Sequence, residues 1–425
     1  MKNIVEELRW RGLVHDIIPG TEDQLLKPTT AYIGFDPTSD SLHIGSLVPI
    51  ILLKHLENFG HKPIALIGGA TGMIGDPSGK SDERNLISEE DLKKNVDGIE
   101  KVLSKFLDFD NGNSLLVNNL DWMKNFSFID FVRNVGKRLT VNYMMSKDSV
   151  KNRLVDNGMS FTEFTYQLIQ GYDFYHLNKH HDCVLQMGGS DQWGNITTGT
   201  ELVKKMNDDS KVFALTCPLI TKSDGTKFGK TESGNIWLDS EKTSPYKFYQ
   251  FWVNTSDSDA EKYIKIFTFK SKEEIDELIS DHKKEPYKRL LQKSLADSVT
   301  LFVHGQEELD KAILSSSIVF SKSCENLNKL DQRDMLEIFD GFDTFELNRN
   351  ELDGGVELVE LLAEKTSILG SKSEVRRAIL ENSISINKNK FDGVRKLDSN
   401  DVLDNNYILI QRGKKKYFLI RIINN

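Results

Sequence analysis

At 425 residues the chain is too long for one ordinary domain and is expected to fold as two or three. With 38% hydrophobic and 28% charged residues its composition is globular, and no apolar run approaches the roughly 20 residues that a membrane-spanning helix needs. The net charge of −9 argues against nucleic acid as a partner of the whole surface, yet from Gly355 to Asn425 there are thirteen Lys plus Arg against nine Asp plus Glu. A basic tail on an acidic body is the asymmetry of an appended nucleic-acid-binding module.

The opening residues, MKNIVEELRWRG, start an amphipathic helix and lack the apolar segment of a signal peptide. Cys183, Cys217 and Cys324 are far apart and form neither a CxxC pair nor a metal-ligand spacing. Free thiols without a signal point to a reducing cytoplasm as the expected location.

In chain order, Met1 to Pro28 reads as short helices broken at Pro19-Gly20. Thr29 to Phe35 is β-branched and aromatic, so it reads as a strand, stopped at Asp36-Pro37. An apolar-periodic run from Leu42 to Leu56 reads as a helix with His43 and Gly45 in its first turn, a layout for holding a phosphate. Pro63 to Gly69 is short and wholly apolar, as a strand buried on both faces must be. The glycine-rich loop Gly68–Lys80 follows, then a helix opened by Ser88, a strand from Ser114 to Asn118 and a helix from Phe126 to Val135. Phe161 to Phe174 has helical spacing, with Tyr166, Gln170 and Asp173 on one face. Cys183–Met187 and Val212–Thr216 read as buried strands, and the lysine- and glycine-rich stretch after Ile220 as a mobile loop.

Strands alternating with helices imply a Rossmann-like, doubly wound parallel α/β sheet, with ligands beyond the carboxyl ends of its strands. Pro245 to about Glu308 reads as a helical domain, and Glu308 to about Gly354 as a weakly helical connector. Two helices, the strand SISIN and the hairpin YILIQRGKKKYFLIRI then form a compact α+β unit. The expected division is 1–230 for catalysis, 231–325 helical, 326–354 connector and 355–425 for RNA.

Three loops carry chemistry. Gly68–Lys80 allows close backbone approach to a ligand, with Lys80 and Arg84 adding charge. GGSDQWGNI, Gly188 to Ile196, suits a ribose and a base edge, with Asp191 as acceptor. KFGKT, Lys227 to Thr231, offers two lysines for a polyphosphate. With YIGFDPTSDSLHIG and YQLIQGYDF, and in this order, these segments closely resemble those of the bacterial tyrosyl-tRNA synthetases, a family within the class I aminoacyl-tRNA synthetases. The resemblance covers essentially the whole chain, including a tail similar to S4-type RNA-binding domains.

The resemblance implies activation of L-tyrosine with ATP, magnesium travelling with the ATP, and transfer to the tRNA for tyrosine. No tightly bound metal or organic cofactor is implied. Tyr32 and Asp173 would bind the phenolic hydroxyl; Asp76, Tyr166 and Gln170 the ammonium group; Gln192 lies near the carboxylate. Gly34, Asp36, Gly188 and Asp191 would contact the adenosine part. Thr38 and His43, with Lys80, Arg84, Lys227, Lys230 and Thr231, would grip the leaving pyrophosphate. In the tail, Arg376, Arg377, Lys388, Lys390, Arg412, Lys414, Lys415 and Lys416 form a basic RNA-facing surface. The family also implies a homodimer, whose interface is expected in Phe126 to Met145.

One departure stands out. Where the family pattern has a second signature histidine, this chain has Ser46. Serine keeps a donor and an acceptor but is shorter, so a ribose contact is expected to persist, with only modest slowing. A non-catalytic RNA-binding protein on this scaffold is the alternative, and it predicts lost pocket residues. A tryptophanyl enzyme or related nucleotidyl transferase has no use for a clamp on a phenolic hydroxyl.

Overall fold

The computed structural model describes residues 3–78, 87–156, 158–207, 210–226, 228–231, 234–320, 327, 332–339, 342–391, 395–403, 406–413 and 416–423. The chain divides into two compact units, Met1–Thr243 with Trp252–Val303 and Ser244–Phe251 with His304–Asn425.

The first unit is built on five strands: β1 Thr30–Phe35, β2 Lys62–Ile67, β3 Leu115–Asn118, β4 Cys183–Gly189 and β5 Phe213–Cys217. All pair in parallel, in the order β3-β2-β1-β4-β5. Residues 63–67 of β2 are wholly buried, as an apolar strand covered on both faces must be. The chain steps outward from β1 to β3, then crosses back to lay β4 on the other side of β1. That reversal opens a crevice at the carboxyl ends of β1 and β4.

Local chemistry sets the helices that frame the crevice. Ser160 caps the helix Phe161–His181 by accepting from Glu163 N–H, and Asp182, at φ 51°, ends it. This helix runs seven residues beyond the stretch read from periodicity, because its last turns pack Leu177 and Asn178 inward. Between β1 and the helix Leu47–Asn58, Ile44–Ser46 forms a 3-10 turn. His43 thus precedes the α-helix instead of lying in its first turn. Part of the glycine-rich loop, Gly69–Ile74, is a short helix. A Cβ at Gly68 would overlap the Asp36 carboxylate, and one at Gly69 would overlap the Asn118 side-chain oxygen. Glycine here serves close approach of backbone to the strand ends. The later signature stretch forms a minimal hairpin, β6 Lys230–Thr231 with β7 Gly234–Asn235.

The second unit holds a five-stranded sheet of β8 Thr344–Asn348, β9 Ile384–Ile386, β10 Asn389–Lys390, β11 Tyr407–Arg412 and β12 Lys416–Ile423, in the order β10-β9-β11-β12-β8. β11 Tyr407–Arg412 and β12 Lys416–Ile423 are the expected hairpin, with Gly413 at φ 64° in its turn. β9 Ile384–Ile386 pairs antiparallel with β11, and β10 Asn389–Lys390 with β9. β8, Thr344–Asn348, lies in the stretch read as a weakly helical connector; it is instead an edge strand parallel to β12. Its Leu347 joins a core with Leu361, Val375, Ile408 and Ile420, so tertiary burial overrides the polar local composition.

One stability consequence lies outside the crevice. His55 is 3% exposed, within 5.0 Å of the Phe269 ring, and its pKa is lowered to about 3, first by burial and then by Arg11. The folded state therefore refuses a proton that the unfolded state accepts below pH 6.5. Stability from neutral His55 is present above that pH and is lost as pH falls toward 3, by about 2 kcal/mol at pH 5. Urea titrations at pH 7.5 and pH 5 are expected to show a smaller drop in His55→Leu than in the parent. Equal drops would refute the assignment.

Candidate active site

The crevice holds a cavity of about 240 Å³, lined from the ends of β1 and β4, from Thr71 and Asp76, and from one face of the helix Phe161–His181. Tyr32, Asp76, Tyr166, Gln170, Asp173 and Gln192, the six residues expected around tyrosine, all line it. So do Gly34, Asp36, Thr38 and Gly188. Asp191 lies beside it, bonded to Gln192 Nε2 at 3.2 Å, and faces a second cavity with Ser190 and Trp193.

Asp173 is 1% exposed. Its carboxylate accepts from Asn119 Nδ2 at 2.9 Å and from Trp122 Nε1 at 2.9 Å. Burial outweighs those two bonds and pushes its pKa up to about 7. The Tyr32 hydroxyl, equally buried, has no hydrogen-bond partner among the described residues, and neither do the side-chain oxygens of Gln170 and Gln186. Buried polar atoms without partners are rare in folded proteins, and here three belong to residues lining one cavity. Burial, then Asp173, raises the pKa of Tyr32, so the phenol stays a neutral donor.

A second network fixes the other end. Asp36 accepts from the Tyr166 hydroxyl at 2.8 Å and from Thr71 Oγ1 at 2.6 Å, and Asn119 Nδ2 reaches Thr71 Oγ1 at 3.2 Å. Asp76 accepts from Gln192 Nε2 at 2.7 Å, from Ser78 N–H at 3.0 Å and from Asn195 Nδ2 at 3.3 Å. No lysine or arginine is among the described residues that line the cavity. A floor of aspartates favours a ligand cation, and the unpartnered groups favour a ligand hydroxyl.

Periodicity had already put Tyr166, Gln170 and Asp173 on one helical face. It could not find Asn119, Trp122, Thr71, Asn195 or Gln186, which hold or flank those groups. The signal for the first two was the polar exit of β3, NNLDW, at the same sheet edge as the other ligand-facing loops.

His43 sits exposed on the loop after β1. Its Nδ1 accepts from Gly45 N–H at 3.0 Å. That bond leaves the proton on Nε2, which becomes a free-standing donor. Protein crowded around the ring lowers its pKa, so the donor is neutral. Ser46, half-buried, makes no capping bond through its side chain. Lys80, Arg84, Lys227, Lys414 and Lys415 lie outside the described residues, as do the side chains of Lys230 and Thr231.

In the second unit, Arg376 and Arg377 are exposed on the helix Lys372–Leu380. Lys388 sits in a turn at φ 67°, and Lys390 is on β10. Arg412 is bound to Glu374 at 2.7 Å, which offsets part of the basic surface. Among the described residues no helix is long and apolar enough to cross a membrane.

Comparison with known proteins agrees with this geometry. Residues 24–321 match the family described as tRNA synthetases class I (W and Y), and residues 334–420 match the tyrosine–tRNA ligase SYY-like C-terminal domain. The tyrosine–tRNA ligase of Flavobacterium johnsoniae is 63% identical over 100% of both chains. That of Bacteroides thetaiotaomicron is 58% identical over 98% of this chain and 99% of its own. A C-terminally truncated mitochondrial tyrosyl-tRNA synthetase from Aspergillus nidulans superposes with a TM-score of 0.67 at 31% identity, covering 75% of this chain and 94% of its own. A full-length match at this identity, with both family models in order, means that the chain belongs to the tyrosine–tRNA ligase family of class I aminoacyl-tRNA synthetases.

Proposed function

We propose that the chain performs its family's reaction in the cavity at the β1–β4 switch point: tyrosine is activated with ATP to tyrosyl-adenylate, then passed to the 3′-terminal adenosine of its tRNA. The observation that carries the site assignment is the buried, unpartnered Tyr32 hydroxyl in the same cavity as Asp173. A phenolic ligand donates to the Asp173 carboxylate and accepts from Tyr32. The ligand ammonium group meets Asp76, Tyr166 and Gln170 at the other end.

The substrate carboxylate is ionised at neutral pH, so no general base is required. Its oxygen attacks the α-phosphorus of ATP in line. The bond from that phosphorus to the bridging oxygen breaks, and its electron pair leaves with pyrophosphate. Catalysis then consists of positioning and of stabilising charge on the departing phosphates. Neutral His43 Nε2–H and the Thr38 hydroxyl are donors for that charge. Lys80, Arg84, Lys227, Lys230 and Thr231 take the same task by resemblance. Magnesium enters as part of the ATP substrate. Gly34, Gly188 and Asp191 serve the adenosine. In the second step a ribose hydroxyl attacks the adenylate carbonyl carbon and AMP leaves.

The deciding measurement is exchange of labelled pyrophosphate into ATP. Exchange is expected with tyrosine and not with tryptophan or phenylalanine. No exchange with tyrosine would overturn this reading.

The basic surface around Arg376, Arg377, Lys388, Lys390 and Arg412 is proposed to contact tRNA phosphates. A homodimer is also proposed. The helix Phe128–Asn134 turns Phe131 toward the core around Val135 and Leu168, yet Phe128 and Ile129 on it are 67% and 69% exposed. Val141 and Met145 on the next helix are exposed too. A helix apolar on both faces needs a second partner, and a second copy is the family's arrangement. Ile129→Asp is expected to shift sedimentation from dimer to monomer; a dimer unchanged at micromolar concentration would rule this interface out.

A further inference from the structure

The loop that carries His43 is held from two sides by groups to which the chemistry assigns no role. Asp40 lies on it, three residues before His43. Lys242 Nζ lies 2.5 Å from Asp40 Oδ1, and Lys94 Nζ lies 3.5 Å from Oδ2. The hydrogen bond from Lys242 is the largest of the causes that lower the Asp40 pKa. The Lys242 ammonium also sits 5.2 Å from the centre of the Trp237 ring, a cation–π distance. Trp237 in turn forms a β-bridge with His43, and the two rings meet edge-on with centroids 6.4 Å apart.

Two backbone bonds frame that bridge: Ile44 N–H to Ile236 O at 2.8 Å and Leu238 N–H to Leu42 O at 2.9 Å. Ile236 N–H also reaches Gly229 O at 3.2 Å, at the base of the β6–β7 hairpin. A Cβ at Gly229 would overlap Ile44, and its φ of 82° suits glycine. On the opposite side, the helix Glu89–Leu103 abuts the loop. Asn95 Nδ2 donates to Pro37 O at 3.0 Å, and a Cβ at Gly98 would overlap Asp40 O.

We infer that Trp237 and the Asp40–Lys242 ion pair are positioning residues for adenylate formation, which hold the His43 imidazole in place against the segment that follows β7. This rests on the reading of His43 as a donor to the leaving phosphates. The side chains of Asp40 and Lys242 are 25% and 31% exposed, so an ion pair there adds little to folding. Its value lies in geometry, because one carboxylate ties the loop after β1 to the segment after β7. A small misplacement of His43 removes a hydrogen bond that exists only while charge develops on the phosphates.

The test uses the full chain and follows single-turnover formation of tyrosyl-adenylate by rapid quench. The variants are Trp237→Ala, Trp237→Phe, Asp40→Asn and Lys242→Met, each alone and combined with His43→Ala. Trp237→Ala and Asp40→Asn are each expected to slow the step about ten- to a hundredfold, with tyrosine affinity unchanged. Trp237→Phe keeps an aromatic edge and recovers most of the rate. In the His43→Ala background, Trp237→Ala costs no more than about threefold further, because the two act through one hydrogen bond.

Full additivity with His43→Ala, or a loss shared equally by tyrosine affinity, would overturn the inference. So would unchanged rates in both Asp40→Asn and Lys242→Met, which also serve if Trp237→Ala fails to fold. If His43→Ala itself is silent, the reading of His43 fails and takes the inference with it. If His43→Ala is slow while the other variants are not, the inference alone fails.

Discussion

Asp173→Ala is expected to lower kcat/KM for tyrosine activation by roughly 30- to 150-fold, because a hydrogen bond to a buried charged acceptor contributes about 2–3 kcal/mol. The loss arises twice over. The phenolic hydroxyl of the ligand loses its acceptor, and Asn119, which keeps its bond to Thr71, and the half-buried Trp122 indole each lose one as well. Asp173→Asn is the sharper variant, since it keeps the volume. An amide oxygen can serve one of the two donors well, but its NH₂ then faces the other.

The pH dependence follows from the same burial. The pKa of Asp173 is about 7 in the folded protein against an ordinary 3.8. Between those values the folded state holds a proton that the unfolded state has released. Stability therefore falls as pH rises from about 4 to about 7 and is flat above, with a span on the order of 4 kcal/mol. Thermal unfolding of the ligand-free protein is expected to show Asp173→Asn gaining on the parent across this window. In the parent, kcat/KM for tyrosine should rise through an apparent pKa near 7, as the carboxylate becomes the acceptor. A parent profile flat from pH 6 to 8 would exclude a titration of Asp173 in this window.

His43→Ala is expected to slow adenylate formation by about 10²- to 10³-fold while leaving tyrosine affinity intact, the signature of a donor used only in the transition state. Because Gly45 N–H occupies Nδ1, the active donor is Nε2–H of a neutral ring. The protein crowded around the ring lowers its pKa and keeps it neutral, so its contribution should not vary between pH 7 and 9. His43→Asn, which can still donate, should recover part of the rate. Rapid-quench measurement with saturating tyrosine and ATP checks both points. A loss that appears only as a raised KM for tyrosine would contradict the assignment.

Much of the fold was legible because its signals are local. The apolar runs at β2 and β4, the strand signal at β1 and the Ser160 cap each depend on residues within a few positions of one another. The same holds for Tyr166, Gln170 and Asp173, which share a face because a helix turns every 3.6 residues. β8 was not legible. Thr344–Asn348 is polar and short, and only its pairing with β12, more than seventy residues later, makes it a strand. Nor was the short helix Gly69–Ile74, since glycine masks helical preference and the segment is held by hydrogen bonds from Thr71 Oγ1 to Asp36 and from Ala70 N–H to Asn119 Oδ1.

The sequence by itself determined the family, most of the order of the elements and many of the side chains that line the crevice. Its long segments, from YIGFDPTSDSLHIG to LQMGGSDQWGNI, carry that information in the chain order of their residues. Tertiary structure alone decided the states of those side chains. The Asp173 pKa is pushed up to about 7 because Asn119 and Trp122, over fifty residues away, only partly offset its burial. Asp36 is committed to Tyr166 and Thr71, and His43 is a neutral Nε2 donor set against Trp237. A residue's type is written in its codon, but its charge, its tautomer and its free lone pairs depend on burial and on partners that only folding brings within reach.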